Sequence, residues 1–385
     1  MDLVSKENMY YIRGGHNLFE NVAFEEQIQT ISSLLKMRCS YSENLHFLIG
    51  SGCSRNAIPL MNDTFDIIKS NHADVRMVFE QYTGEKDIES FLSWLATAMK
   101  FFTEGSNEYK KYDSVYTIIK KEFLRSINLN LFRHETDLAL DDQEMKTLQN
   151  YINFYNGVFS HRQHKKVLSP INVFTTNYDL FNEIAFEKLK IHYTNGFSGF
   201  VTRTFDPSVF HIRLVDEENR YKDKWNPIRK YVKLYKIHGS IDWQFDVETK
   251  TIKQRKLDLD NTSNVVIFPT MLKHFETQQT PYSELFREFT VNLQKKNSTL
   301  IVLGYGFPDE HINQLIAQSL YYEDFNLIIF GNQNEEKAKA FIDANGDHSN
   351  FHFIGGDFEN KNDAHYFANV IRLLGDDVKN ATPDE

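Results

Sequence analysis

Residues 45–59 have the sequence LHFLIGSGCSRNAIP, which joins a predicted buried strand to a glycine-rich turn. Its first five residues form a short run that is apolar except for His46, which is typical of a strand buried on both faces of a parallel sheet. Gly50 and Gly52 follow the run directly. Glycines at this spacing let the backbone approach a phosphate, and a helix starting next would offer N–H groups to the anion. The alternative is a plain tight turn, because the third glycine of the usual dinucleotide motif is absent.

Apolar runs of the same kind recur along the chain. They are INVFT (171–175), VKLYKI (232–237), VVIF (265–268), LIVL (300–303), LIIF (327–330) and FHFI (351–354). Helical patterns lie between many of these runs, at 180–190, 282–295, 309–320 and 335–344. Alternation of strands and helices predicts an α/β fold with a Rossmann-like, mostly parallel sheet.

Two regions interrupt this alternation. Residues 64–168 are almost wholly helical in pattern and predict a large helical insertion into a discontinuous core, formed by 26–63 and 169–385. Residues 195–231 are rich in turns and aromatic residues, and predict a hairpin or loop excursion. Residues 1–25 form an N-terminal arm that is too apolar for a free tail. We expect this arm to pack on the body of the protein or on a neighbouring subunit.

Composition limits the classes of function. The 385 residues carry a formal net charge of −10, which gives no general attraction for nucleic acid or an anionic membrane. The two cysteines, Cys39 and Cys53, cannot build a disulfide framework or a four-cysteine zinc site. No stretch has the apolar length of a signal peptide or of a membrane span, so the sequence predicts a soluble, cytoplasmic protein.

Polar residues follow the strand predicted at 171–175. The segment TTNYD (175–179) lies where ligands bind in parallel α/β sheets, beyond the carboxyl ends of the strands. The alternative is helix capping, in which Asn177 or Asp179 satisfies the first N–H groups of the helix predicted at 180–190.

A histidine follows the next strand, in KLYKIHGSIDW (233–243). His238 is a candidate general base, because imidazole titrates near neutral pH, although a lone histidine is more often a structural residue. Two later strands also end in glycine, in LIVLGYGFPDEHIN (300–313) and LIIFGNQN (327–334). Asp309 is well placed to cap the helix that follows the first of these strands. The Gly-Asn pair after the second strand suits a contact with a ribose or an adenine, and the alternative is a simple turn.

The order of these motifs resembles the SIR2 (sirtuin) family, and in particular the SIR2-like branch found in bacterial anti-phage defence proteins. The motifs are GSGCS (50–54), TTNYD (175–179), KIHGSIDW (236–243) and LGYGF (303–307). The resemblance extends over residues 44–333, and the helical segment 64–168 adds nothing to it. It implies a Rossmann-like fold that binds NAD and cleaves the nicotinamide–ribose bond.

The resemblance also implies roles for single residues. Asn177 and His238 would be catalytic: the amide would orient water or ribose hydroxyls, and the imidazole would take a proton as an oxocarbenium-like ribose forms. The NAD phosphates would be bound by Gly50, Ser51, Gly52 and Ser54. The pocket for the ribose and nicotinamide would be lined by Thr176 and Asp179. The adenosine half would be contacted by Gly304, Gly306 and Asn332.

The chain departs from the family in one respect. Deacylases of the family carry a zinc module held by four cysteines, and two cysteines cannot supply it. The resemblance therefore favours hydrolysis of NAD, as substrate, to nicotinamide and ADP-ribose without zinc. It further implies NAD depletion on phage infection, a homo-oligomer and a HerA-like hexameric ATPase as partner. The alternatives are an NAD-dependent protein deacylase, or a non-catalytic or nuclease subunit of an ATPase complex, so contact with nucleic acid stays open.

Overall fold

A computed structural model describes residues 8–130, 141–162, 169–222, 224–259, 281–358 and 362–375. The strands are β1 Met9–Arg13, β2 His16–Asn17, β3 Asn44–Ile49, β4 Ile171–Thr175, β5 His192–Thr194, β6 Phe197–Ser198, β7 Thr204–Phe205, β8 Val215–Tyr221, β9 Lys224–Pro227, β10 Tyr231–Lys236, β11 Trp243–Asp246, β12 Thr251–Gln254, β13 Ser298–Leu303, β14 Asn326–Phe330 and β15 Phe351–Gly356. The helices are α1 Phe24–Tyr41, α2 Met61–Asn71, α3 Ala73–Gln81, α4 Ile88–Met99, α5 Asn107–Ile127, α6 Asp142–His161, α7 Phe181–Lys188, α8 Tyr282–Leu293, α9 Glu310–Ser319, α10 Glu336–Asn345 and α11 Phe367–Leu374.

A nine-stranded sheet forms the centre, in the order β2-β1-β15-β14-β13-β3-β4-β10-β5. All neighbouring pairs from β15 to β5 are parallel, whereas β1 and β2 add antiparallel strands at one edge. The α/β class and the mostly parallel sheet predicted from the sequence are confirmed. The run predicted at 265–268 lies outside the described residues.

The strand order fixes where a ligand can bind. The strands β10-β4-β3-β13-β14-β15, numbered by their position in the chain, have the 3-2-1-4-5-6 order of the Rossmann fold. The order reverses between β3 and β13. Crossovers on either side of this point leave a crevice at the carboxyl ends of these two strands, and ligands of open α/β sheets bind there.

Alternate side chains of the strands bury two different cores. In β13, Ile301 and Leu303 face one side of the sheet, with α1, α6, α7 and α11. Leu300 and Val302 face the other side, with α8, α9 and α10. Successive side chains of a strand point to opposite faces, and these strands are largely apolar, so the sheet is covered on both faces.

The N-terminal strand belongs to the main sheet. β1 pairs antiparallel with β15, with Met9 opposite Gly356 and Ile12 opposite Phe353. Met9 and Tyr11 are buried within the chain itself. The described part of the predicted arm thus packs on the body of the protein.

The segment predicted as one helical insertion, 64–168, contributes to two packing groups. Helices α2–α5, which we call the helical unit, share a separate apolar cluster that contains Phe65, Phe91 and Ile119. Helix α6 instead packs against α7, α11 and α1 and joins a core of the main sheet. The amphipathic pattern of α6 resembles that of its neighbours, so the sequence did not separate it from them.

The turn-rich region predicted at 195–231 contains β6–β9. Strands β6 and β7 join β11 and β12 in a four-stranded sheet, and β8 pairs with β9 in a hairpin. Within the part of the chain that the structure describes, no helix has the length and apolarity needed to cross a membrane.

Candidate functional site

The carboxyl ends of four neighbouring strands meet at one cavity of about 120 Å³, which we call the central cavity. Its polar residues follow β3, β4 and β10, and they are Ser51, Ser54, Thr176, Asn177, Tyr178, Asp179 and His238. Pro308, from the loop after β13, completes this side. Its apolar wall consists of Ile58, Pro59, Leu60, Met61, Phe123 and Ile127. The structure therefore brings Asn177 and His238 to the same cavity, at the point where the strand order reverses.

The amide of Asn177 is held in one orientation with its oxygen unpaired. Its Nδ2 donates to the carbonyl of Gly50 at 3.1 Å and to Ser54 Oγ at 3.3 Å, and its backbone N–H donates to Thr175 Oγ1. The side chain is 5% exposed, and no hydrogen-bond partner among the described residues reaches Oδ1. A buried unpaired acceptor costs about 1–3 kcal/mol, so this oxygen is suited to accept a hydrogen bond from a ligand hydroxyl or water.

Asp179 links two strand-end loops. Its Oδ2 accepts a hydrogen bond from Ser54 Oγ at 2.8 Å, and its Oδ1 accepts one from the backbone N–H of Phe181 in the first turn of α7. The capping alternative thus applies to Asp179, whereas the Asn177 amide turns toward Gly50. Burial raises the pKa of Asp179, opposed by the positive charge of Lys236 and by its hydrogen bonds.

A buried ion pair contacts the loop after β4, which carries Asn177 and Asp179. Lys236 is fully buried, and its Nζ lies 3.1 Å from Glu183 Oε1. The same ammonium group donates to the carbonyls of Tyr178 and Asp179. Burial raises the pKa of Glu183 to about 7, although Lys236 acts in the opposite direction. A charge at the end of β10 therefore fixes the backbone of the loop that carries Asn177.

His238 pairs with a carboxylate from another strand end. Its Nε2 lies 3.0 Å from Asp309 Oδ2, and both side chains are largely buried. The other oxygen of Asp309 accepts from the backbone N–H groups of His311 and Ile312 at the start of α9. The sequence indicated the cap and not the contact with His238.

The glycines at the crevice allow two loops to touch. Gly50 N–H donates to the carbonyl of Leu303, and Gly52 N–H donates to that of Gly304, each at 2.9 Å. A Cβ on Gly50 would lie 2.4 Å from the Gly304 oxygen, and a Cβ on Gly304 would lie 2.6 Å from Cys53 N. The close approach that these glycines permit is thus first of all between the loops, and their contact with phosphate stays a prediction.

The remaining predicted residues lie further along the same edge of the sheet. Gly306 faces Glu335, whose Oε2 would be 3.5 Å from an added Cβ. Asn332 Oδ1 accepts from the N–H of Asn334 at 2.9 Å and closes a turn after β14. Gly304, Gly306 and Asn332 do not contribute to the described lining of the central cavity, and their contact with an adenosine half stays a prediction.

The helical segment supplies site residues that the motifs did not indicate. Tyr151 of α6 is fully buried, and its hydroxyl lies 2.9 Å from Ser54 Oγ and 3.4 Å from Asn177 Nδ2. Phe123 and Ile127 of α5 line the apolar wall. No local pattern marks these three residues, because only the packing of distant helices places them at the strand ends.

The fold is that of an α/β protein with a cavity at the switch point of a Rossmann-type sheet. Residues 171–346 match the model of a family described as SIR2-like domain. The match supports the SIR2-like family and a broadly NAD-related activity. It includes Asn177, His238 and Asp309, and leaves out the GSGCS loop at 50–54. No curated protein sequence matches the chain. Among the described residues, no cluster of His, Cys, Asp and Glu could hold a metal ion.

Proposed function

We propose that the protein hydrolyses NAD to nicotinamide and ADP-ribose. The observation that carries this proposal is the unpaired Oδ1 of Asn177, which lies in the same cavity as the carboxylate-paired His238. A fixed acceptor and a base at one point suit a reaction in which a hydroxyl must be oriented and deprotonated. The SIR2-like match over 171–346 supports NAD as the substrate.

Asn177 and His238 would have separate roles in the hydrolysis of NAD. The nicotinamide–ribose bond breaks with its electron pair going to nicotinamide, and a water oxygen bonds to the ribose carbon. Asn177 Oδ1 accepts a hydrogen bond from that water or from a ribose hydroxyl, and His238 takes the proton that the water loses. The apolar wall excludes other water and strengthens both interactions.

The size of the cavity indicates which part of the substrate it would receive. Its volume of about 120 Å³ is below the ~300–1,000 Å³ usual for sites that enclose a small molecule. It therefore leaves room for part of NAD only, and we assign it the end at which the nicotinamide–ribose bond breaks. The adenosine half would extend past the ends of β13 and β14, where Gly306 and Asn332 lie.

The biological role proposed here rests on the resemblance to anti-phage SIR2-like proteins. NAD depletion would stop an infected cell, and an enzyme with this effect needs restraint. We propose control by assembly, as a homo-oligomer and with a HerA-like hexameric ATPase.

The test is time-resolved measurement of NAD, nicotinamide and ADP-ribose with the purified chain, alone and with a HerA-like ATPase. Asn177→Ala and His238→Ala should abolish turnover, whereas His192→Ala, at an exposed histidine of β5, should retain it. Full turnover by both site variants would reject the site. Formation of O-acetyl-ADP-ribose from an acetylated peptide would show a deacylase instead.

A further inference from the structure

We infer that Asp309 is a positioning residue, whose carboxylate keeps the proton of the His238 imidazole on Nε2 so that Nδ1 acts as the base. This inference rests on the proposed function, because it assigns His238 a proton to accept. Its evidence is the contact between the two side chains and the way the loop after β13 is built. Neither feature follows from the motifs in the sequence.

The contact fixes the hydrogen-bonding pattern of the imidazole. A carboxylate can only accept hydrogen bonds, so Nε2 at 3.0 Å from Asp309 Oδ2 must be the donor. A neutral imidazole that donates from Nε2 has Nδ1 as its acceptor. The pair is well shielded from solvent, with 14% of the His238 side chain and 7% of the Asp309 side chain exposed.

The carboxylate itself has little freedom to turn. Its Oδ1 accepts from the N–H groups of His311 and Ile312, at 3.1 and 3.4 Å, while Oδ2 meets His238. The two N–H groups and the positive end of α9 stabilise the ionised form of the carboxylate. An ionised carboxylate in turn stabilises the imidazolium that His238 becomes when it takes a proton.

The loop that carries Asp309 is held by its own contacts. The Tyr305 hydroxyl shares its one proton between the carbonyl of Asp309, at 3.1 Å, and Asn313 Oδ1, at 3.2 Å. Asn313 Nδ2 donates to the carbonyl of Phe307. Phe307 adopts the left-handed region, with φ of 57°, and its buried ring stacks on Phe341. Such a conformation is unfavourable in a residue other than glycine and persists only where its surroundings impose it. These contacts therefore hold Asp309 in a fixed position beside His238.

The other titratable groups near His238 do not compete with Asp309 for the imidazole. Among the described residues that line the central cavity, these groups are Tyr178 and Asp179. The Asp179 carboxylate accepts from Ser54 and Phe181, and its pKa is raised by burial. The Tyr178 ring is tilted against the His238 ring, with centroids 6.5 Å apart. The carboxylate that meets the imidazole within hydrogen-bond distance is thus that of Asp309.

The decisive variant is Asp309→Asn. Asparagine caps a helix about as well as aspartate, so the fold and the melting temperature should be kept. The carboxamide lacks the charge, and its NH₂ group would donate to Nε2 and favour the opposite tautomer. We expect kcat for NAD hydrolysis to fall by about 10²–10⁴, as for loss of an orienting carboxylate elsewhere, with little change in KM. The matched control is Asp87→Asn at the cap of α4, where Asp87 accepts from Ser90 N–H; its kcat should equal that of the wild type.

Two further measurements separate positioning from a structural role. Without the carboxylate the imidazolium is less stable, so the acid limb of the pH–rate profile should move to lower pH in Asp309→Asn. Nitrogen-15 NMR of His238, identified by comparison with His238→Gln, should show an Nε2–H tautomer in the wild type and its loss in the variant. This readout needs no turnover, so a wild type that shows the tautomer and hydrolyses no NAD would reject the function and keep the positioning. Unchanged tautomer, kcat and pH profile in Asp309→Asn would overturn the inference.

Discussion

The unpaired Oδ1 of Asn177 shows how one residue can favour ligand binding at the expense of the free protein. Its Nδ2 donates to the carbonyl of Gly50, which already accepts from Cys53 N–H, so this contact orients the amide more than it stabilises the fold. The oxygen at the other end has no described partner. An unmade buried hydrogen bond is a cost that a bound hydroxyl removes, so binding energy is concentrated where the reaction needs orientation.

The Glu183–Lys236 pair predicts a pH dependence of stability. Burial raises the pKa of Glu183 to about 7, above its ordinary value of 4.5, so the folded protein holds this proton at a pH where the unfolded chain has released it. The free energy of unfolding should therefore fall as pH rises from about 4.5 to about 7. Glu183→Gln should flatten this slope, because glutamine has no proton to release. It should lower stability above about pH 7, where Glu183 is ionised and Lys236 would lose its counter-charge.

Urea unfolding at several pH values between 4.5 and 8 measures the slope. The control is Glu187→Gln, which changes an exposed carboxyl on the same helix and should leave the slope of the wild type. Identical slopes for the wild type and Glu183→Gln would show that Glu183 does not hold the proton.

The loops after β3 and β13 touch each other at positions occupied by glycine. Gly304 has a φ of 60°, and a Cβ there would lie 2.6 Å from Cys53 N. Gly304→Ala should therefore lower the free energy of unfolding by at least about 1 kcal/mol from the backbone conformation alone, and by more from the clash. Denaturant midpoints measure the loss.

Gly306→Ala is the matched control for this substitution. An added Cβ at Gly306 would meet only Glu335 Oε2, at an ordinary 3.5 Å, so stability should stay within about 0.5 kcal/mol of the wild type. Equal loss in the two variants would mean that the loops do not require glycine for their contact.

Elements defined by a local sequence pattern could be predicted, whereas contacts between distant parts of the chain could not. The run at 45–49 corresponds to β3, and the run at 300–303 lies within β13, because both are mostly apolar and are buried on both faces. Asn177 and His238 could be placed at strand ends for the same reason. Tyr151 could not be placed, because its position depends on α6 packing against elements far away in the chain. The His238–Asp309 contact joins loops 71 residues apart, and no local pattern encodes it.

The helical unit and the sheet meet at the central cavity, and α5 connects them. Val115 and Ile119 of α5 belong to the cluster of the helical unit, whereas Phe123 and Ile127, further along the same helix, belong to the core of the main sheet. Phe123 and Ile127 also line the cavity. A shift of α5 would therefore alter the wall of the cavity. The proposed assembly, if it binds the helical unit, would have a physical route to the cavity through this helix.

A larger side chain on α5 tests whether this helix forms the wall of a substrate-binding cavity. In Ile127→Phe the larger ring would enter a space of about 120 Å³, so the melting temperature should be kept or raised while KM for NAD rises and kcat/KM falls. The same substitution at Ile119, which is fully buried two turns earlier in the helical unit, should instead overpack a filled core. Ile119→Phe should cost about 1–3 kcal/mol of stability and leave KM unchanged at temperatures where the protein is folded. Thermal unfolding and steady-state kinetics on the two variants separate the effects, since only Ile127 borders the proposed substrate. A normal KM in Ile127→Phe would show that the substrate does not enter the space beneath α5.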